Sequence, residues 1–387
     1  MRYTLEPSLL KSLTVNSAGN IFVSSEIISA IESYIFSSSP SEISTNIEYL
    51  KEAFNRQQNY ERIKINYTIP LLEAYIVNYL PRNTLVSKLG LLCRSYHPQM
   101  LSIPAHLNIL DLGSGTGAIT LGLLDLFRRP ELNHIKCDIY AIDSSKDSLA
   151  IQKKLVDNYG LNGSHHDYKQ VDLTNPETYE DLLAKKPLFD FIFSANILSE
   201  LEPQYRDNVL AIIRANLAED GVCIIAESQN TPAKNACAYL SHNVNKYGLH
   251  IFYPCPPDIN CINDQCWKWL HYSFQCANIH VGGTEFATNH DCNYFWRIIV
   301  KKKLSIYDYL KTNKKGLSWG ITRHNYNTGW DEFCIKKEQF DGTIEPTLLD
   351  TWSHMIGTSD HDKSIPFQWN FTDGFSICSW RFNKKDN

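Results

Sequence analysis

The spacing of apolar and polar positions changes along the chain, and each change marks a region. From about Ile43 to Tyr96 apolar residues recur every three or four positions. Tyr67, Leu71, Leu72, Tyr75, Ile76 and Tyr79 form one such stripe, the face of an amphipathic helix. A shorter helical pattern covers Ser25–Phe36, and Ser37-Ser38-Ser39-Pro40-Ser41 breaks it. Pro81 interrupts the long stripe, and another helix starts at Thr84 and runs to Leu92. Beyond Asn108 short apolar runs alternate with helical stretches. The runs are 108–112, Cys137–Ile142, a third segment ending near Val171-Asp172-Leu173, Phe189–Ser194 and Val222–Ala226. Helices are predicted at Lys146–Tyr159 and Pro203–Leu217, with Asp220-Gly221 turning the chain into the last run. Such alternation implies a parallel sheet covered on both faces. Beyond 280 the pattern shifts to strands. Tyr294–Val300 is the strongest, and Ser318–Ile321, Glu332–Ile335 and Ser376–Phe382 predict β additions packed beside the sheet. Three regions follow: a helical 1–100, an α/β 101–250, and a cysteine-rich, β-containing 251–387.

The first strand runs into Asp111-Leu112-Gly113-Ser114-Gly115-Thr116-Gly117, followed by apolar residues at helical spacing. Strand, glycine turn and helix form a unit that lets a ligand approach the backbone closely. A dinucleotide fingerprint reads G-x-G-x-x-G; here the run is G-x-G-x-G, with an acid two residues before the first glycine. That acid would repel a phosphate and suits a cation. S-adenosylmethionine (SAM) carries an ammonium and a sulfonium and no phosphate. The stretch resembles motif I of the class I SAM-dependent methyltransferases, which implies a Rossmann-like methyltransferase sheet.

In such sheets ligands gather at the carboxyl ends of the strands. Asp143, with Ser144 beside it, ends the second strand, where a carboxylate can accept both ribose hydroxyl hydrogens. Asp172 follows the third, in reach of the adenine amino group, with Leu173 as apolar neighbour. Asn196 follows the fourth, near a methyl acceptor. The candidate SAM-binding residues are therefore Asp111, Gly113, Ser114, Gly115, Gly117, Asp143, Ser144, Asp172, Leu173 and Asn196. For any one acid, a loop or helix-cap role is the alternative. Ser194-Ala195-Asn196-Ile197-Leu198 stands where exocyclic-amine base methyltransferases carry Asn-Pro-Pro-Tyr. No base or nucleophile stands out; Glu200, Glu202 and Tyr205 are near enough in sequence to be candidates.

Composition adds the class of protein. The chain has 387 residues, 43% of them hydrophobic and 20% charged, and a net charge of −5. That balance suits a globular protein and argues against a mainly electrostatic nucleic-acid binder, DNA included. No apolar run approaches the ~20 residues that cross a membrane. The first residues lack a signal-peptide core and carry an early acid, so a cytoplasmic location is expected.

Eleven cysteines are present, and Cys255, Cys261, Cys266, Cys276 and Cys292 cluster in one segment. Without a secretion signal, clustering points to metal rather than disulfides. Cys93, Cys137 and Cys223 sit in apolar runs and read as small core residues. The spacing C-x5-C-x4-C is not a tight zinc knuckle; it suits thiolates drawn around an iron–sulfur cluster, and tetrahedral zinc also fits.

The segment resembles a particular family: methyltransferase-like proteins of mitochondrial small-ribosomal-subunit assembly and their bacterial relatives. The resemblance rests on Glu227 followed by Thr231-Pro232, on Pro254, Cys255, Pro256, Asp258 and Cys261, and on Trp269, His271 and Tyr272. Pro257 replaces the family's His, and Leu270 stands where the family has Cys. The resemblance implies a metal centre, an iron–sulfur cluster, held by Cys255, Cys261, Cys266 and a late cysteine, Cys334, with Cys276 and Cys292 as rivals for the fourth place. It also implies RNA or the small ribosomal subunit as partner. Lys301-Lys302-Lys303, Lys311, Lys314 and Lys315 with Tyr307, Tyr309 and Trp319 form either a basic, aromatic RNA surface or a solvated loop. Three functions are then in play. The chain is a methyltransferase acting on RNA, a non-catalytic assembly factor, or a small-molecule or peptide methyltransferase with a structural metal.

Overall fold

The computed structural model describes residues 2–5, 7–14, 21–58, 65–95, 100, 102–160, 164–228, 230–253, 269–287 and 291–304, and further strands between 319 and 383. The N-terminal region begins with β1 (Arg2–Thr4), α1 (Pro7–Thr14) and β2 (Ile21–Phe22). Helices α2 (Ser25–Glu32), α3 (Pro40–Gln58), α4 (Ile69–Asn78), α5 (Leu80–Asn83) and α6 (Leu85–Ser95) follow, then β3 (Ser102–Pro104). The region is helical as expected, with two short strands the pattern did not reveal. Pro81 does not end the helical run. It sits in the first turn of α5, where its missing N–H has no carbonyl to serve.

The α/β region reads β4 (His106–Leu112), α7 (Ala118–Phe127), β5 (Lys136–Asp143), α8 (Lys146–Tyr159), β6 (His165–Gln170), α9 (Glu180–Ala184), β7 (Phe189–Ala195), α10 (Arg206–Asn216) and β8 (Leu217–Ser228). Then come α11 (Thr231–Asn243), β9 (His250–Tyr253), β10 (Trp269–Gln275), β11 (Ile279–Val281), β12 (Thr284–Phe286) and β13 (Asp291–Val300). The sheet order is β2-β10-β13-β8-β7-β4-β5-β6, with β9 also on β13. Strands β8, β7, β4, β5 and β6 are mutually parallel, and β13 runs antiparallel to β8 and β10.

Successive residues of each strand face opposite sides, and both sides are buried. Ile109, Phe191, Phe193, Ile224 and Ile298 pack on one face; Leu110, Leu112, Ile192, Ile225 and Ile299 pack on the other. That is why the strands read as continuous apolar runs.

Three expectations change. The third strand ends at Gln170, before Val171-Asp172-Leu173; its sequence, His-His-Asp-Tyr-Lys-Gln, is that of a polar edge with one neighbour. Asp220-Gly221 lies inside β8, because the bare Gly221 lets the Phe189 carbonyl come close: an added Cβ would lie 2.8 Å from that oxygen. The strong strand at 294–300, to which the pattern gives no place in the sheet, is a member of it, paired with β8 and with Trp296, Ile298, Ile299 and Val300 buried.

Helix α6 holds the N-terminal helices against the sheet layer. Gly122 of α7 approaches so closely that a Cβ there would lie 2.0 Å from the Thr84 carbonyl oxygen. Beside it the buried Lys88 ammonium pairs with Asp125, whose other oxygen accepts from Ser24 Oγ (2.6 Å) and the Tyr159 hydroxyl (2.9 Å). Burial pulls Lys88 down, and Lys88 holds Asp125 down against its own burial. A buried, hydrogen-bonded ion pair fixes geometry more than it adds stability. Here it fixes where α6, α7, the start of α2 and the end of α8 meet. Outside this body, β14 (Trp319–Asn325), β15 (Trp330–Ile335) and β18 (Trp380–Asn383) form one small sheet, and β16 (Trp369–Thr372) and β17 (Phe375–Cys378) another.

Candidate active site

Strand order reverses at β4 and β7: β5 and β6 lie to one side, β8 and β13 to the other. The crevice beyond the carboxyl ends of β4 and β7 is the position that parallel sheets offer a ligand. Two loops line it, Gly113–Gly117 after β4 and Asn196–Leu201 after β7.

The glycines of the first loop have φ of +67° at Gly113, +54° at Gly115 and +91° at Gly117, the left-handed region. They differ in surroundings. A Cβ on Gly113 would lie 1.9 Å from Ile197 Cδ1, and one on Gly117 would lie 2.4 Å from Gln152 Cγ. A Cβ on Gly115 would meet nothing within 4 Å. A contrast follows. Gly115→Ala is expected to cost about 1–2 kcal/mol of stability from backbone strain alone, whereas Gly113→Ala adds a clash and should cost clearly more. Denaturant midpoints of the two variants, measured in parallel, check this; equal midpoints would contradict the packing described.

Asp111 lies under the loop, 1% exposed. Its Oδ2 accepts from Thr120 Oγ1 (2.8 Å); Thr120 in turn accepts from Gln152 Nε2 (3.0 Å), and Gln152 Oε1 accepts from Ser114 Oγ (2.8 Å). This chain ties the loop to α7 and α8. Burial pushes the Asp111 carboxyl up to about 7, with repulsion from Asp143 adding to it and the Thr120 bonds opposing it. Asp143 bridges the loops: Oδ2 accepts the Gly115 N–H and Oδ1 the Ser145 N–H, each at 2.8 Å. Burial raises it too, offset by those two bonds. Each oxygen keeps a second lone pair for a ligand hydroxyl. Thus Asp111, Gly113, Ser114, Gly115, Gly117 and Asp143 come together.

The other predicted residues are placed as follows. Ser144 is exposed, and its carbonyl accepts from Gln170 Nε2 (3.0 Å). Asp172 is exposed one residue past Val171, whose N–H donates to the Asp143 carbonyl (2.9 Å). Its Oδ1 closes a local turn on Thr174 N (2.9 Å) and Thr174 Oγ1 (2.8 Å). Leu173 points into the core, 8% exposed. Asn196 is the one non-glycine at positive φ (+60°) among the described residues, a conformation asparagine tolerates. Its Oδ1 accepts from Ser228 N (2.8 Å) and Ser228 Oγ (2.7 Å), which anchors the second loop to the end of β8.

Glu227 completes that anchor. Fully buried, its carboxylate accepts from Ile197 N (2.9 Å), Leu198 N (2.8 Å), Ser199 N (3.1 Å) and Ser199 Oγ (2.6 Å). Burial raises this group, and the four bonds oppose the rise. The clamp seats Ile197 over Gly113 and turns the chain so that Glu200 N and Leu201 N both donate to the Ile197 carbonyl at 3.0 Å. Of the three sequence candidates for catalysis, Glu202 accepts from Gln204 Nε2 (2.7 Å), Tyr205 ends a short turn, and the Glu200 carboxyl is raised by burial and by the charges of Glu227 and Asp143. Thr120, Gln152 and Tyr67 were missed as site residues. Their only signal is position: the first turn of the helix after the glycines, mid-α8, and the residue before the N-cap of α4.

Residues 110–223 match the family model described as a methyltransferase domain. This segment is similar to a methyltransferase domain. The fold is similar to several solved methyltransferases. One is the ribosomal protein L11 methylase of Lactobacillus delbrueckii subsp. bulgaricus, at 13% identity over 57% of this chain and 79% of that one, TM-score 0.33. A TehB-like SAM-dependent methyltransferase of Corynebacterium glutamicum gives 15% identity over 67% and 99%, TM-score 0.32. Magnesium protoporphyrin IX methyltransferase of Synechocystis with bound SAM gives 9% over 68% and 99%, TM-score 0.34. Likenesses of this size carry nothing beyond the domain match. No curated protein matches the chain significantly.

The predicted metal ligands Cys255, Cys261 and Cys266 lie outside the described residues. Cys334 sits in β15 opposite Gly320, and Cys292 in β13 opposite Tyr272. The Cys276 thiol donates to the Ala277 carbonyl (3.3 Å). Among the described residues no group of three or more His, Cys, Asp and Glu side chains is arranged to hold a metal. Of the basic run, Lys302 pairs with Asp220, and residues 305–318 lie outside the described residues. Within the described residues no helix is long and apolar enough to cross a membrane.

Proposed function

We propose that the protein is a SAM-dependent methyltransferase acting on RNA or at the small ribosomal subunit. The observation that carries the SAM reading is the crevice at the strand-order reversal. Asp111, Asp143, Glu200 and Glu227 gather there around an open glycine turn, Glu227 turned to the loop it clamps. Four acids disfavour a phosphate ligand and favour one bearing an ammonium and a sulfonium. In this reading Asp111 answers the ammonium through its buried carboxylate, and Asp143 receives the ribose hydroxyls on its free lone pairs. Asp172 stands at the next strand end for the adenine. Transfer needs the acceptor atom in line with the methyl–sulfur bond, so much of the rate rests on positioning, the task of the Glu227-clamped loop.

The acceptor assignment is supported by the resemblance of Glu227 and Thr231-Pro232 and of the Cys255–Cys261 segment to ribosome-assembly proteins. The same resemblance supports a metal centre, iron–sulfur or zinc, on Cys255, Cys261, Cys266 and Cys334; no step of the transfer passes through it. Incubation with small ribosomal subunits and methyl-labelled SAM tests the proposal. Label in the RNA is the expected result. Co-sedimentation without label would instead make the protein a binding factor. Metal analysis of anaerobically purified protein should find iron with acid-labile sulfide, or one equivalent of zinc; metal-free protein removes the second centre.

A further inference from the structure

Four buried side chains under the glycine loop form one run of hydrogen bonds, and each link has a fixed sense. Ser114 is tied by its backbone: its N–H donates to the Ile142 carbonyl and its own carbonyl accepts the Gly117 N–H, each at 2.9 Å. Its hydroxyl donates to Gln152 Oε1. That leaves the Gln152 amide nitrogen toward Thr120, and an amide nitrogen only donates. The Thr120 oxygen therefore receives a hydrogen from Gln152, and its own hydrogen goes to Asp111 Oδ2. Thr120 and Gln152 are fully buried, Ser114 and Asp111 nearly so, which keeps water from competing for these bonds.

The amide is the link on which the sense depends. Turned over, its nitrogen would donate to Ser114 Oγ and its oxygen would take the Thr120 hydrogen. Asp111 could then keep its contact with Thr120 only as a carboxylic acid, supplying the hydrogen itself. Which way the Gln152 amide lies and whether Asp111 is an acceptor are thus one question. Packing holds the stem below the amide, since Gln152 Cγ fills the space a Cβ on Gly117 would need. Of the other strands around Asp111, β5 brings Asp143, which repels its charge, β6 brings Tyr168, which its charge raises, and β7 brings the apolar Phe193. The neutral Thr120 and Gln152 come from α7 and α8.

We propose that Gln152 is a positioning residue for SAM: anchored by Ser114, its amide directs the Thr120 hydrogen to Asp111 and so presents that carboxylate as an acceptor to the ligand's ammonium. This rests on the methyltransferase reading above. It adds a residue of α8, outside both loops, that acts on the ligand through two others.

Carbon-13 NMR titration of the Asp111 carboxyl in the unliganded protein, identified with Asp111→Asn, tests it. In the unmodified protein the midpoint lies at about 7, and the Gln152 side-chain amide resonance should move with the same midpoint; an amide resonance that stays flat would overturn the relay. Gln152→Glu keeps the shape, but once ionised it accepts from Ser114 and Thr120 alike and takes the Thr120 hydrogen from Asp111. The Asp111 midpoint should then rise by about one pH unit or more. Part of that rise is direct repulsion between two acids, so the same change is made on Thr120→Val, where no hydroxyl is left to redirect. There the rise should be clearly smaller, and equal rises in the two backgrounds would overturn the relay. Gln152→Met keeps the stem beside Gly117 and offers no acceptor, so Asp111 should move less; a shift as large as in Gln152→Glu would make the effect one of packing and overturn the relay too. Titration with SAM reads the consequence. At pH 7 binding to Gln152→Glu should be about fivefold weaker, as the ionised fraction of Asp111 falls from about one half to about one tenth, and it should recover toward pH 9. Asp111 shifts as described, without SAM binding by the unmodified protein, would overturn the methyltransferase reading and the role toward SAM while the relay itself stands.

Discussion

Asp111→Asn is expected to stabilise the unliganded protein at pH 8 by roughly 4 kcal/mol relative to its effect at pH 4, and to weaken SAM binding about a hundredfold or more. The first effect follows from the raised acid. Its carboxyl moves from 3.8 unfolded to about 7 folded, so across that interval the folded state holds a proton that the unfolded state has lost. Stability contributed by the neutral buried form is complete below the unfolded value and lost as pH rises through the folded one, at 1.36 kcal/mol per unit. Asparagine has no such titration and still accepts the Thr120 hydroxyl. The second effect follows from removing one partner of a desolvated charge pair, about 3–5 kcal/mol. Chemical denaturation at pH 4 and pH 8 reads the first, and titration with SAM reads the second. A variant no more stable relative to the unmodified protein at pH 8 than at pH 4 would mean that Asp111 is already ionised without ligand. The same linkage makes SAM binding by the unmodified protein tighten as pH rises through about 7, because the cation selects the ionised carboxylate.

Glu227→Ala is expected to lower stability by about 3–5 kcal/mol and to abolish methyl transfer. Each of the three backbone N–H groups and the hydroxyl that Glu227 satisfies would cost about 1–3 kcal/mol if buried without a partner. Relief of the carboxylate's own desolvation and partial rescue by water offset some of that. The functional loss comes through the backbone. Ile197 would no longer be pinned over Gly113, and Asn196 at φ +60° would be held by Ser228 and the Ala226 carbonyl without the clamp that follows it. Glu227→Gln keeps the shape but turns an amide group toward donors, so it should fall between the two. Denaturant midpoints, with transfer assays at a temperature where the variant is folded, check this. A midpoint within about 0.5 kcal/mol of the unmodified protein, the range of an ordinary surface change, would contradict the clamp.

The parallel strands were legible because they are buried on both faces and so read as unbroken apolar runs. The glycine turn was legible because left-handed backbone leaves its mark in composition. The edge strand β6 was not, since one neighbour and a polar sequence leave no run to see. Nor was the place of β13 in the sheet, because pairing with β8 across more than sixty residues of intervening chain is a tertiary fact without a local period. At the site, Asp111 and Asp143 announce themselves by standing at the ends of apolar strands, Asp111 just before the glycines. Glu227 carries no such sign: an acid ending a strand reads as solvent-facing, and only the returning β7 loop shows what it holds. Tyr67 and Tyr75 were read as an apolar stripe. They are that too, half-buried at the margin of the core, with Tyr75 stacked on Tyr79.

Titration of SAM into the purified protein at pH 8 tests the central claim most directly. The crevice described here predicts saturable binding with one SAM per chain, weakened about a hundredfold or more in Asp111→Asn. No binding, or binding indifferent to Asp111, would contradict it.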